Sequence, residues 1–346
     1  MYTEIKAKLE AQVSITPGEA LWLHEQCSTE NLKSLAKIVR SRYHKPDEAT
    51  YLVMAIINYT NICVAACDYC SFYRLPHQEG TYTLNFAQLC ERIEAVQALG
   101  GTLVGFNGGF NPKLSLENYL EMFAKLNQRF PDMTFYEMTV AEFMFVCKKA
   151  KISYEEGAHR FAAVGTRWIT GGGAEILSDS FRKRHSPGKY TVADYFAAQE
   201  AVLAADLNST ATMVIGFDET IEERLDHLTQ LREFQTKAVK KLTSFLLWTY
   251  KPYNNKLGGT EISPSEYLRW LAICRIFLDN FVHLRASVLT QNSIALEGLL
   301  YAANDFDLPT EDEVTQKAGA TISLAFDSIL KEIVGKGIKP IKRGPF

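Results

Sequence analysis

The amino-acid sequence predicts an α/β fold, a TIM-like (β/α) barrel that is closed or nearly closed, and three observations carry that expectation. Strand-like and helix-like runs alternate along most of the 346 residues. Seven βα units in series require a parallel sheet, and seven or eight of them favour a curled barrel over an open sheet. Polar and glycine-rich clusters recur just after the strands, at 58–74, 107–112, 171–175, 216–219 and 251–259. In parallel α/β architectures the site lies at those carboxyl ends.

In chain order, residues 1–45 read as a helical N-terminal extension, and 46–346 as the barrel domain with a C-terminal helical segment. Strands are expected at 52–58, 102–107, 133–138, 167–170, 209–215, 244–249 and 283–289. Helices are expected between them at 86–99, 116–129, 192–205, 220–234, 265–280 and 293–303. In the first of these helices Leu89, Ile93, Val96 and Leu99 keep helical spacing, and Gly100-Gly101 stops the helix before the next strand.

Composition excludes several classes. With 47% hydrophobic, 22% charged and 12% aromatic residues the chain can bury a large core and is neither disordered nor fibrous. Lys plus Arg is 37 against Asp plus Glu at 40, so the basic excess of a dedicated nucleic-acid binder is missing and no nucleic-acid partner is expected. No apolar run approaches the roughly 20 residues of a membrane span, and Met1 to Gln12 lacks a signal-peptide core, so no membrane association and a cytoplasmic location are expected.

Seven cysteines are present, and three of them, Cys63, Cys67 and Cys70, follow the pattern C-x3-C-x2-C after the first strand. Cys27, Cys90, Cys147 and Cys274 are scattered through helix-like context and read as small buried hydrophobes. Three thiolates on one loop can ligate three irons of a [4Fe-4S] cluster and leave the fourth iron open to a substrate or cosubstrate. A structural zinc site that recruits His77, and three unligated cysteines, are the competing readings; a ferredoxin-like carrier would need a fourth cysteine nearby.

This cysteine loop, in its place after the first strand of a βα array, resembles that of the radical S-adenosylmethionine superfamily. The resemblance implies that the open iron chelates the methionine amine and carboxylate of S-adenosylmethionine. One electron then releases a 5′-deoxyadenosyl radical, and Tyr69 lies near the adenine. Longer strings, Ile57-Asn58-Tyr59-Thr60-Asn61, Phe72-Tyr73-Arg74, the run from Gly171 to Leu177, the run from Ser209 to Met213, Glu222-Glu223-Arg224 and the run from Ala303 to Phe306, are similar to the menaquinone futalosine-pathway radical enzymes. Among these the cyclic dehypoxanthinyl futalosine synthase family is most similar, over about Tyr51 to Gly319. It implies hydrogen abstraction from the ribose of a small nucleoside-derived substrate and addition of the carbon radical to a benzoate ring. An electron donor such as flavodoxin or ferredoxin is implied as partner.

Site residues follow from position and resemblance together. Gly108, Gly109, Glu175 and Arg182, with Tyr69, are expected to bind the cosubstrate. Asn111, Phe217, Asn304 and Asp305 are expected to bind substrate, and Tyr136, Glu137 and Asp218 are the candidate catalytic groups. Asn111 and Phe217 stand where the family pattern leads one to expect histidine, and no histidine follows the third strand. The substrate side has therefore changed while the cluster side has not. A paralogue like the aminofutalosine or deazaflavin synthases, and a noncatalytic cluster-binding scaffold, stay open as alternatives at this stage.

Overall fold

The computed structural model describes residues 1–345, and its ten strands are all parallel to their partners. They are β1 (Glu48–Ile57), β2 (Leu103–Phe106), β3 (Thr134–Tyr136), β4 (Met138–Thr139), β5 (Ile169–Thr170), β6 (Ala211–Ile215), β7 (Ser244–Thr249), β8 (His283–Ala286), β9 (Asp305–Asp312) and β10 (Lys339–Lys342). The β1 run Tyr-Leu-Val-Met-Ala-Ile-Ile is apolar on both faces, as a strand covered by helices outside and by a core inside must be.

The main path runs β3-β2-β1-β9-β8-β7-β6, and β10 joins the first half of β1, with Glu48 to Tyr51 opposite Lys339 to Lys342. Ladder pairing is not continuous between β3 and β6. A short β4-β5 ladder stands in that gap, and a lone bridge from Trp168 to Asn208 ties β5 to the approach of β6. The α/β, barrel-like architecture is as expected, in the form of a curled parallel sheet rather than a fully laddered barrel. The interruption has a visible cause at Glu137, between β3 and β4. Its carboxylate accepts the N–H groups of Arg167 (3.2 Å) and Trp168 (3.0 Å), so a side chain supplies bonds that a ladder would otherwise make.

β9 is a strand that the sequence reading left out. Its run Asp-Phe-Asp-Leu-Pro-Thr-Glu-Asp carries four acids and a proline, yet it inserts between β1 and β8. Pro309 cannot donate to a ladder, and the register slips there: Met54 faces Pro309, but Ile56 faces Asp312. Two other expected elements are shorter. The strand from His283 ends at Ala286, because Ser287 caps a helical turn over Val288–Gln291. The helix expected at 293–303 divides into Ser293–Glu297 and a 3-10 turn, Gly298–Tyr301.

Before β1 lie three helices, Tyr2–Glu10, Pro17–Gln26 and Thr29–Arg40, the last two capped by Thr16 and Ser28. Leu32, Leu35, Ala36 and Val39 give the third a buried stripe. Arg269, on the helix Pro264–Phe277, donates to the carbonyls of His24 and Cys27, each at 2.9 Å, and closes the end of the second. No helix among the described residues is long and apolar enough to cross a membrane.

Asn304 and Asp305, expected to bind substrate, sit at the amino-terminal end of β9, away from the rim where the cysteines lie. Asn304 is buried, and its Oδ1 accepts from Arg275 Nη2 (2.6 Å) and from the Leu284 N–H (2.9 Å). Asp305 accepts from Thr50 and Arg343. Both hold strand ends together instead of meeting a ligand. Asn304→Ala leaves two buried donors unpaired and should lower unfolding free energy by about 2–4 kcal/mol in urea titration; an unchanged midpoint would return Asn304 to the list of ligand-binding candidates.

Candidate functional site

All strands being parallel, their carboxyl ends open on one rim, and the cysteine loop leaves β1 there. It is clamped from several sides. Cys63 N–H donates to Arg74 O (3.0 Å), Val64 N–H to Phe110 O (3.1 Å), and Asp68 N–H to His185 O (3.1 Å), while Asp68 O accepts from Lys256 and Leu257. Ala66 adopts a left-handed φ of 50°, which turns the chain between Cys63 and Cys67.

The three cysteines line one cavity together with Tyr69, Gly109, Glu175, Lys189 and Phe217. Ala65, Phe110 and Ala141 pack around them as an apolar shell. Burial pushes the Cys67 thiol up to about 12 and raises Cys70 as well, an environment that leaves free thiolates unstable unless cationic metal compensates them. No three His, Cys, Asp or Glu side chains among the described residues converge closely enough to hold a single metal ion, and His77 is exposed. A zinc site that recruits His77 would have to draw that side chain in from solvent. Three sulfurs set around an open space suit a multi-iron cluster, whose irons are separated and whose stability benefits from an apolar surround.

Gly108 and Gly109 line this cavity, and their lack of a side chain serves close packing of the protein on itself. A Cβ on Gly109 would stand 2.3 Å from Ile62 O and 2.6 Å from Cys63 Cβ; one on Gly108 would stand 2.6 Å from the Tyr59 ring. These glycines let the loop after β2 pack directly on the cysteine loop. The Gly108 N–H donates to Glu142 Oε1 (2.9 Å), and the same carboxylate receives the Tyr59 hydroxyl (2.5 Å).

Glu175 faces the cavity from a left-handed residue, φ 44°, and its carboxylate pairs with Lys189 Nζ at 2.8 Å. Lys189 also donates to the Tyr69 hydroxyl (3.0 Å), so a carboxylate, an ammonium and a phenol form one half-buried set beside the cysteines. Tyr69 lies against Phe217 (5.2 Å), which stacks on Tyr250 (4.5 Å). Sequence reasoning missed Lys189 and Tyr250. The available signal for Lys189 was the preceding Pro187-Gly188 turn, where a Cβ on Gly188 would meet Ala65 O at 2.7 Å.

Besides Asn304 and Asp305, four more expected site residues do not reach the cavities. Arg182 is spent on the carbonyls of Tyr190 (2.7 Å) and Ala174 (3.1 Å), supporting the glycine loop from behind. Asn111 bonds Thr60 and Thr83 and caps its own turn through the Lys113 N–H. Asp218 is half exposed and pairs with His185 Nε2 (2.7 Å) and Arg184, outside the rim. Glu137 is held in the wall as described, and burial pushes it up to about 8. Tyr136 and Phe217 do line cavities.

Tyr136 belongs to a second, inner cavity walled by Met54, Ile56, Thr212 and Leu246, with Arg285, Asp307 and Asp312 as its charged residues beside Glu175. Glu175, Thr139 and Trp248 border both spaces, so the cysteine cavity continues into the interior of the curled sheet. The loop carrying Glu175 is fixed from outside. Tyr195 Oη donates to Gly171 O (2.8 Å), and the Leu177 N–H donates to His227 Nδ1 (2.8 Å).

An imidazole nitrogen that accepts must be unprotonated, and burial depresses His227 to about 3. Between that value and the usual 6.5 the unfolded chain binds more protons, so stability falls as pH falls through this window. Unfolding free energy should drop by about 2 kcal/mol from roughly pH 7.5 to pH 5 through this group, and His227→Asn, which keeps an acceptor, should remove that part of the slope. Parallel slopes for both proteins would show that His227 does not anchor the loop.

Sequence comparison agrees with this geometry. Residues 57–231 match the radical SAM superfamily and residues 240–345 match the CofH/MqnC C-terminal region. The cyclic dehypoxanthine futalosine synthase of Streptomyces coelicolor is 35% identical, with 88% of this chain and 78% of that protein covered. The enzyme of that name from Halalkalibacterium halodurans is 32% identical over 94% and 88%. Among solved structures, a methylornithine synthase superposes with a TM-score of 0.73, 14% identity and 97% of both chains covered, a likeness of fold.

Proposed function

The chain belongs to the radical SAM superfamily and is an enzyme of that class, and from this premise we propose that it acts as a cyclic dehypoxanthine futalosine synthase in menaquinone biosynthesis. The family implies a [4Fe-4S] cluster and S-adenosylmethionine. One observation carries the reading: three cysteines border a cavity that opens directly into a second one inside the sheet, as a reaction needing a cofactor and a sequestered substrate requires.

Cys63, Cys67 and Cys70 would hold the cluster, and Glu175, Lys189 and Tyr69 would bind S-adenosylmethionine at the border of the two spaces. When bound, these groups supply one-electron chemistry that ends in hydrogen-atom abstraction from an unactivated carbon. The chain's own task is aim and exclusion. Tyr69, Phe217, Tyr250 and Trp248 wall the cysteine cavity, and Trp248 borders the inner one as well, so an aromatic collar at the passage between them would keep water and stray hydrogen donors from the reacting carbon. Ring closure must also release a proton. With Glu137 and Asp218 directed elsewhere, Asp312 is the proposed acceptor: it lines the inner cavity, and burial pushes its carboxyl up to about 7, near the optimum for a general base. The Thr315 hydroxyl donates to its Oδ2 at 2.8 Å and fixes its direction. A flavodoxin or ferredoxin in the cytoplasm is the proposed reductant.

Anaerobic reconstitution should give a brown protein that, with a reductant and S-adenosylmethionine, converts dehypoxanthine futalosine to a product lighter by two hydrogen atoms, read by mass spectrometry. Cys67→Ala should lose both the chromophore and deoxyadenosine formation. Asp312→Asn should form deoxyadenosine while product formation falls by about 10²-fold or more. Deoxyadenosine release with dehypoxanthine futalosine left intact by the wild-type enzyme would assign the chain to a different substrate.

A further inference from the structure

The inner cavity ends on charged residues that the chemistry above leaves without a task. Arg285 on β8 and Asp307 on β9 both line it, beside Tyr136 from β3. Arg285 Nη2 donates to Asp307 Oδ2, Arg285 Nε lies 3.2 Å from Asp305 Oδ2, and Arg343 Nη2 lies 2.5 Å from that same oxygen. Two guanidinium groups thus face two carboxylates, and the floor is neutral as a whole. Three of its polar atoms, Tyr136 Oη, Asp307 Oδ1 and Arg285 Nε, are nevertheless buried without a hydrogen-bond partner among the described residues, Arg285 Nε keeping only its ion-pair distance to Asp305. Tyr136 is 6% exposed.

A buried polar atom left unpaired is costly, and a ligand that satisfies these three atoms gains what they would otherwise lose. An apolar group satisfies none of them. A carboxylate could accept from Tyr136 Oη and Arg285 Nε, but it has no proton for Asp307 Oδ1, whose lone pairs it would repel, and it would add a third negative charge to a set already balanced. Neighbouring hydroxyl groups can donate to Asp307 Oδ1 and accept from Tyr136 Oη and Arg285 Nε. We propose that Tyr136, Asp307 and Arg285 form a subsite for the neighbouring hydroxyls of a neutral sugar. This deepens, and rests on, the reading of the substrate as a ribose derivative: the sugar end goes to the floor, and the benzoate does not.

The test uses the reconstituted holoenzyme saturated with S-adenosylmethionine, so that the cosubstrate's own ribose site is filled. Calorimetry would compare methyl β-D-ribofuranoside, its analogue lacking both secondary ring hydroxyls, and benzoate. The ribofuranoside should bind at least tenfold more tightly than the deoxygenated analogue. Tyr136→Phe, which deletes one atom, should shrink that preference severalfold and leave S-adenosylmethionine affinity within twofold; Asp307→Asn gives a second reading. Equal affinity of wild type for the two sugars, or tighter binding of benzoate than of ribofuranoside, overturns the subsite. Neither sugar contains the rest of dehypoxanthine futalosine. A Tyr136-dependent sugar preference therefore upholds the floor even if that compound is not consumed, and consumption without such a preference upholds the function and overturns the floor.

Discussion

Parallel pairing around β1 is the constraint from which the rest follows. β1 pairs with β9 on one side and with both β10 and β2 on the other, and every one of these ladders runs in the same direction. Carboxyl ends of strands are thereby forced to one rim, and the segment leaving β1 has no course except across it. Cys63 to Cys70 lie on that segment. Once there, they are held by backbone bonds from the loops after β2 and from the chain near His185 and Lys256, and the glycines at 108, 109 and 188 are the positions where those loops press closest.

Charge inside this shell is matched locally. Glu175 meets Lys189, Arg285 meets Asp305 and Asp307, and Arg224 meets Glu219, each within a largely buried setting. Such pairs contribute little net stability against an apolar replacement, but breaking one leaves an uncompensated charge. Their value here is positional. Ion pairs and the hydrogen bonds around them fix long side chains that would otherwise sample many rotamers, so the cavity walls keep one shape.

Much of this was legible in the sequence, and the exceptions have physical causes. The cysteine loop could be read because its ligands are close in the chain, and the helices because their apolar residues repeat at 3.6. β9 could not, since four acids and a proline hide a strand whose acids find partners only in three dimensions. Tyr136 and Glu137 show the limit most clearly. Tyr136 ends the third strand and Glu137 comes next, and both were expected inside, yet consecutive residues of extended chain point to opposite faces, so Tyr136 enters the cavity while Glu137 enters the wall. Asn111 and Asp218 failed differently: short polar side chains at loop positions found nearer partners in Thr60, Thr83 and His185. Lys189 lies far from the cysteines in sequence, and only the fold brings it to Tyr69.

The slip at Pro309 sets which acids the interior contains. Residues facing the cavity from β9 are Asp307, Pro309 and then Asp312, a parity break that a regular strand could not produce. Without it Glu311 would turn inward; as built, Glu311 meets Arg92 on the far side of the strand. One irregular residue thus works as a phase shift between two halves of a strand. The half before it carries the charge-balanced floor, and the half after it carries the carboxyl near neutrality, so their spacing along the cavity is written into backbone geometry rather than into side-chain choice.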